Sequence, residues 1–439
     1  MRLTSDGRYP AILVTDSVDA PPAPPHLRIG WFAVRVLILA GLAVGFTYNL
    51  LGLPGFRDFG HYYRLDLDVY RLGGSVFLDG STLYGSMPPI QMGNFLPFTY
   101  PPFAAMVFSP LATMSLATAG TVVTTLSLIA LLGVLAVTLD SLGIGPRKTL
   151  AWTAMGMLAV SMALEPVYST LDYGQINIVL MALVVADCLP RQTPWPRGLL
   201  IGLAAAIKLT PGIFVIYLLA RKDFRASMVA LISFAAFAAV GAIAAWRDSI
   251  TYWTQALFDS HRIGAPAYPA NQSITGVLAR LGLSDPARTA IWLLLCAVVL
   301  TLTLVAMVRA LRSGETTLAL GLNAILGLLA SPVSWSHHWV WSTLVVFVLG
   351  ILSYRRRSIA LAITALSGLV VFMSAAHWKL GAGRWSGTHW NLWDQFLASS
   401  YVWWALAVVL VTIFSFRARP SQSGDDRSRN LSDSTVPVG

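Results

Sequence analysis

Charge is what this sequence has least of. Only 11% of its 439 residues are Asp, Glu, Lys or Arg, where roughly a quarter is usual in soluble proteins. With 56% hydrophobic residues and a mean hydropathy of +0.66, the chain reads as a polytopic membrane protein. Cysteine is nearly absent. Cys188 and Cys296 both fall inside apolar runs without ligand spacing, which excludes a disulfide framework and a zinc site. The first 29 residues, with PPAPP at Pro21 to Pro25, lack the apolar core of a cleaved signal peptide. The first span is therefore expected to remain as an anchor. Gly/Ser linkers and soluble-sized polar blocks are missing too, so we expect one integral domain over 30–416, between disordered cytoplasmic tails at 1–29 and 417–439. The net charge of +10 sits in short clusters between apolar runs, which points to orientation in a bilayer rather than to nucleic acid.

What is present is a series of apolar runs of about twenty residues or slightly fewer. They lie near 31–52, 118–139, 149–164, 171–189, 226–246, 289–310, 315–331, 337–353, 358–376 and 401–416. This predicts an all-α protein of about ten transmembrane helices. Basic clusters (Arg147 with Lys148; Arg191 with Arg197; Arg221, Lys222 and Arg225; Arg309 with Arg312; Arg355 to Arg357; Arg417 with Arg419) stand at alternate ends of the runs. The positive-inside rule turns those ends to the cytoplasm. Consistent alternation then requires two apolar segments not to cross, 98–114 and 198–220. The second is interrupted by Lys208-Leu209-Thr210-Pro211, and halves of about eleven residues are too short to span at 1.5 Å per residue. A re-entrant pair is expected there.

This topology gathers the polar segments on the outer face. They are the loop with Asp66, the stretch EPVYSTLDYGQ (165–175), the loop 247–288 with NQS at Asn271, SPVSWSHH (331–338), and a tryptophan-rich loop from His377 to Ser400. As a helix beginning near Arg64, the first loop places Leu65, Val69, Leu72 and Val76 on one stripe suited to the membrane interface. Asp68 falls on the opposite flank at ion-pair spacing from Arg64 and Arg71, which suits a solvated face. Asp66 shares its flank with Tyr70, Gly73 and Phe77 and has no basic residue at helical spacing. A carboxylate in such surroundings has a raised proton affinity and suits a general base.

His337 and His338 follow Pro332 and precede a span, where a helix N-terminus favours a phosphate. Only one of the pair is expected to face a cavity, and neighbouring histidines without other ligands do not make a metal site. Lys208 is a cation within an intramembrane run, either facing a substrate phosphate or snorkelling to the interface. Arg262 is a softer phosphate candidate against an ordinary loop arginine. Tyr168, Asp172, Tyr173, Gln175 and Asn177 are suited to sugar hydroxyls or to helix–helix contacts. Trp378, Trp385, Trp390, Trp393, Trp403 and Trp404 suit sugar stacking or an interfacial belt.

Taken in order, DLDVYRLGG, LPFTYPPFAA, DYGQINIVLMALVVAD, GLAAAIKLTPG, NQSITG and SPVSWSHHWVW resemble the actinobacterial polyprenol-phosphate-mannose-dependent α-1,2-mannosyltransferases of GT-C architecture. The likeness runs from about residue 31 to 416. It implies transfer of mannose from a β-linked polyprenyl phosphate to a mannosylated lipid acceptor, phosphatidylinositol mannoside or lipomannan, outside the plasma membrane. A β-linked donor giving an α-linked product implies inversion. The family's essential aspartate maps to DLDVY, at Asp66 or Asp68, and its histidine to His337 or His338. The helical phase favours Asp66 over Asp68 as base, and the scheme expected sets a histidine with Lys208 or Arg262 against the leaving phosphate, with Tyr70, Tyr173, Gln175 and Asn177 around the substrates. A leaving group with a single phosphate needs no metal in this scheme, and no cofactor is expected beyond the lipid-linked donor. The rival class is a lipid or glycolipid flippase, which also uses broken helices and intramembrane charge.

Overall fold

A computed structural model describes residues 25–52, 63–380 and 390–416. The residues read as tails at 1–24 and 417–439, and Trp385, lie outside these. Among the described residues every regular element is helical, with one isolated bridge pairing Asn271 and Trp335. The helices are α1 Pro25–Phe46, α2 Leu65–Leu78, α3 Pro102–Ala112, α4 Leu116–Ser141, α5 Arg147–Ser161 and α6 Glu165–Tyr173. Next come α7 Asn177–Cys188, α8 Leu199–Ile207, α9 Phe214–Ala220, α10 Phe224–Ala244, α11 Trp246–Thr254 and α12 Ile274–Arg280. The chain ends with α13 Asp285–Arg312, α14 Thr316–Ala330, α15 Trp341–Arg356, α16 Ile359–Ser374, α17 Leu392–Ala398 and α18 Ser400–Ser415. α1 begins at Pro25, inside the stretch assigned to the N-terminal tail; proline in the first turn of a helix loses no hydrogen bond.

All ten expected spans correspond to helices, although not all are full length. Among the described residues six helices are long and apolar enough to cross a membrane, and eight if two bent pairs count as one span each: α5 with α6 at 73° and α17 with α18 at 69°. The remaining two, α7 and α14, have 12 and 15 residues. Several helix starts are fixed by capping side chains, a local effect of about 1 kcal/mol each. Ser115 accepts from the amide of Thr118 and Asp223 from that of Ala226, both at 3.1 Å.

The 98–114 segment does not cross. Tyr100 at its start meets Tyr70 of α2, and Met114 at its end accepts Arg71 of the same helix at 2.7 Å. The 198–220 segment is likewise re-entrant. Arg197 and Arg221, just outside its two ends, both donate to the carbonyl of Cys188 at the end of α7, at 2.8 and 3.2 Å. Its middle residue, Lys208, reaches Asn177 at the other end of α7. With 12 residues in α7, the hairpin α8–α9 reaches about 18 Å along it and returns to the end where it began. Lys208 is extended (φ −148°, ψ 124°), and Pro211 opens a 3₁₀ turn over Thr210–Ile213. The break follows from the proline, which has no amide to donate.

The hairpin seats on α10 through small residues. A Cβ on Gly202 would lie 2.6 Å from both the Ala230 carbonyl and Ser233 Cβ, so only glycine allows the two backbones this close. Gly202→Ala is therefore expected to lower the midpoint of thermal unfolding in detergent. Gly212→Ala in the same hairpin, with Ala205 Cβ 4.0 Å away, is expected to leave it nearly unchanged. Equal midpoints would show that α8 does not seat on α10 in this way.

Candidate active site

The polar groups singled out in the sequence converge on a cavity of about 480 Å³ at the Asn177 end of α7. Asp66, Tyr70, Tyr173, Gln175, Lys208, Arg262, His337 and His338 all line it. α2 supplies the carboxylate. The helix packs against α3, with Tyr70 stacked on Phe108 at 4.3 Å between ring centres. The expected interfacial stripe is instead covered by protein: Val69 and Val76 are buried, with Leu65 and Leu72 packed partly against the core.

Asp66 has a partner that helical spacing did not reveal. Gln175 Nε2 donates to its Oδ2 at 2.7 Å, and Gln175 Oε1 in turn accepts from the hydroxyls of Tyr70 (2.6 Å) and Tyr100 (3.2 Å). The chain makes this turn because α6 ends at Gly174, whose φ is +70° and whose missing Cβ would lie 2.6 Å from that of Leu67. Glycine meets both demands. Burial pushes the Asp66 carboxyl up to about 6, against the pull of the Gln175 bond and the Lys208 charge. A group so poised is a carboxylate at neutral pH and accepts a proton readily.

Asp68 is buried, not solvated. It accepts from the Tyr63 hydroxyl at 3.0 Å and the Gln91 amide at 2.8 Å, and pairs with Arg71 at 3.6 Å. Arg64 turns away to the carbonyls of Leu171 and Asn49. Asp68 thus ties the 81–101 loop to α2, because the helix flank opposite Asp66 faces that loop rather than water.

Lys208 rises into the cavity at the tip of the hairpin. Its ammonium donates to Asn177 Oδ1 at 3.0 Å, stands 3.4 Å from His338 Nε2, and lies 5.4 Å from the centre of the Tyr100 ring. It does not snorkel. An ammonium only donates, so His338 Nε2 accepts and the ring carries its proton on Nδ1. Asn177 is a bracket behind the cavity wall: it holds Lys208 and donates to the His337 carbonyl at 3.0 Å. Thr170 donates to the same carbonyl at 2.6 Å.

Both histidines line the cavity, their rings edge to face at 4.7 Å. One had been expected to point away, on α-helical geometry. Ser336–Val340 is a 3₁₀ turn, whose roughly 120° per residue splays neighbouring rings, and the cavity reaches both of them, with Tyr173 against His337 and Lys208 against His338. His337 Nε2 is buried without a hydrogen-bond partner among the described residues. The NQS motif is the buckle of this loop. Asn271 Oδ1 accepts from the Ser334 amide and from Ser273 Oγ, at 3.0 and 2.9 Å, and the Gln272 amide donates to the Ser334 carbonyl at 2.8 Å.

Among the tryptophans, Trp378 lines the cavity, joined by Trp335. Trp404 is buried and donates to the Thr364 carbonyl, Trp393 is exposed, and Trp390 faces Arg280 at 6.0 Å. Tyr168 and Asp172 are not in the wall. Among the described residues no three His, Cys, Asp or Glu side chains are grouped to hold a metal ion.

Glu165 escaped sequence reasoning. Fully buried, it accepts from Ser336 Oγ and Trp378 Nε1, both at 2.8 Å, and from the Tyr401 hydroxyl at 2.7 Å. It therefore ties the turn before His337 to a cavity tryptophan and to α18. Beside Ser169, which bonds it from four residues on, these three partners are 171 or more positions away, and no local spacing signals them.

A model of glycosyltransferase family 87 matches residues 98–332. Two relatives are each 44% identical to this chain, over 395 and 408 residues. They come from Mycobacterium tuberculosis and Mycolicibacterium smegmatis and cover 87% of this chain and 90% and 89% of their own lengths. Both are named polyprenol-phosphate-mannose-dependent alpha-(1-2)-phosphatidylinositol mannoside mannosyltransferases. A crystal structure of ArnT from Cupriavidus metallidurans bound to undecaprenyl phosphate aligns at a TM-score of 0.38 and 15% identity, over 88% of this chain and 77% of that one. Helical spans, a cavity at one end of them and the two mycobacterial relatives define a multi-span membrane glycosyltransferase. The chain belongs to glycosyltransferase family 87, and the resemblance carried by the motifs from DLDVYRLGG to SPVSWSHHWVW is borne out. Nothing in these relatives supports a flippase.

Removing Glu165 strands three buried donors, at about 1–3 kcal/mol each. Glu165→Ala is expected to lower the unfolding midpoint in detergent more than Glu165→Gln, which keeps one acceptor oxygen. Wild-type stability in both variants would sink the anchoring role.

Proposed function

We propose that this chain transfers mannose from polyprenyl phosphate mannose to the 2-hydroxyl of a phosphatidylinositol mannoside, forming an α-1,2 linkage with inversion. The observation that carries the reading is a braced carboxylate, Asp66, sharing one cavity with Lys208 and the histidine pair. Relatives at 44% identity support the donor and acceptor, and their names favour a phosphatidylinositol mannoside over lipomannan.

The chemistry needs one displacement. Asp66 accepts the proton of the acceptor hydroxyl as its oxygen bonds to the anomeric carbon. The bond from that carbon to the phosphate oxygen breaks on the opposite face, and the electron pair leaves with polyprenyl phosphate. Gln175 holds Oδ2 and so fixes the orientation of the carboxylate that takes the proton. Lys208, held by Asn177, meets the developing phosphate charge, and His337 Nε2, which has no partner of its own, is available to the phosphate or a sugar hydroxyl. Tyr70 and Tyr100 hold Gln175, while Tyr173, 5.0 Å from the His337 ring, flanks the sugar. In this scheme the leaving group carries a single phosphate, which side-chain cations balance without a metal or other cofactor. The active site faces outward from the plasma membrane in this reading. Its support is the position of Arg197 and Arg221 at the Cys188 end of α7, remote from the cavity.

Asp66→Asn is expected to abolish mannose transfer in reconstituted membranes while leaving the unfolding midpoint within a few degrees. The wild-type rate should fall as pH drops through about 6, because protonated Asp66 cannot act as a base. Asp68→Asn is expected to lower the midpoint and retain transfer by the folded fraction. Transfer by Asp66→Asn at the wild-type rate would overturn the assignment.

A further inference from the structure

The cavity holds two cations, and a single phosphate leaves one of them unused. Lys208 is the better equipped for the leaving group. It is fixed by Asn177 and His338, and it is the cation whose charge acts on Asp66. Arg262 comes from a different element, the 3₁₀ turn Ser260–Ile263 between α11 and α12. It lines the cavity with Leu257 and Ile263, two apolar neighbours on the same stretch.

The guanidinium is underused. Nη1 makes a long 3.4 Å contact with the Tyr84 carbonyl, while Nε and Nη2 are buried with no hydrogen-bond partner among the described residues. No carboxylate pairs with it in that set. A cation removed from water without an anion is costly. A planar fork with two unpartnered donors on one edge, Nε and Nη2, matches a phosphate oxygen pair. Apolar side chains next to it suit a phosphate that carries lipid chains.

We infer that Arg262 forms a second anion subsite, which binds the phosphodiester of the acceptor lipid while Lys208 serves the donor phosphate. The inference rests on the proposed mannosyl transfer and deepens it: the enzyme measures its acceptor from both ends, with the hydroxyl at Asp66 and the phosphate at Arg262. The two phosphates are then distinguished by position. Arg262 is a specificity residue, and no bond at the reacting carbon depends on it.

The test uses the full chain in liposomes with polyprenyl phosphate mannose as donor and phosphatidylinositol mannoside as acceptor. Two soluble competitors are compared, glycerophosphoinositol mannoside and the same inositol mannoside without its phosphate. In the wild type the phosphorylated fragment should inhibit about tenfold or more better, the size of one charge-assisted hydrogen bond. Arg262→Gln should erase that preference and raise the KM for the acceptor by a similar factor, with the donor KM changed less than about twofold. Arg262→Lys, which keeps charge but loses the fork, should fall between and guards against a folding defect in the glutamine variant. A preference that survives in Arg262→Gln, or a KM rise confined to the donor, would overturn the subsite. A wild type that transfers no mannose from this donor would instead sink the reading on which the subsite rests.

Discussion

A charged ammonium half-buried at the tip of an apolar helix hairpin is the constraint around which this site is arranged. Lys208 would cost several kcal/mol in such a place without partners. The fold supplies an amide oxygen from α7, an imidazole nitrogen and an aromatic face. Each belongs to an element that also carries another part of the site. Asn177 holds the lysine and the His337 carbonyl, and Tyr100 faces the lysine while bonding the glutamine that braces Asp66. Satisfying the lysine thereby sets the positions of the groups around it.

Two further fastenings keep the histidine turn in place. Asn271, Gln272 and Ser273 bond the loop at 332–334 from the α12 side, and Glu165 bonds Ser336 from below. Such bonds to backbone and hydroxyl groups fix the turn without using the imidazoles. His338 then meets Lys208, and His337 Nε2 has no partner among the described residues.

Much of this was legible along the chain. Ten spans, two non-crossing segments and the cavity residues followed from hydropathy, the placement of arginines and one Lys-Leu-Thr-Pro interruption, all local signals. What the chain did not disclose depends on distant partners. Asp68 has good spacing for a solvated ion pair, yet a loop more than twenty residues on covers it. Asp66 lacks a basic neighbour on its helix, and its partner arrives from the end of α6. Glu165 sits in a polar stretch that gives no sign of Tyr401. Helical phase failed at His337 and His338 because the cavity reaches both sides of their turn, with Tyr173 from the α6 end at one ring and Lys208 from the hairpin at the other.

The tyrosine pair behind Gln175 has an effect that reaches beyond rigidity. Because both hydroxyls engage the amide oxygen, the amide nitrogen can only be presented to Asp66, and it stays a donor through the whole cycle. One carboxylate oxygen therefore keeps a standing donor, and the plane of the carboxylate is held to one orientation. Replacing Tyr70 and Tyr100 with phenylalanine would leave the carboxylate in place but free the glutamine to flip, and that orientation would be lost.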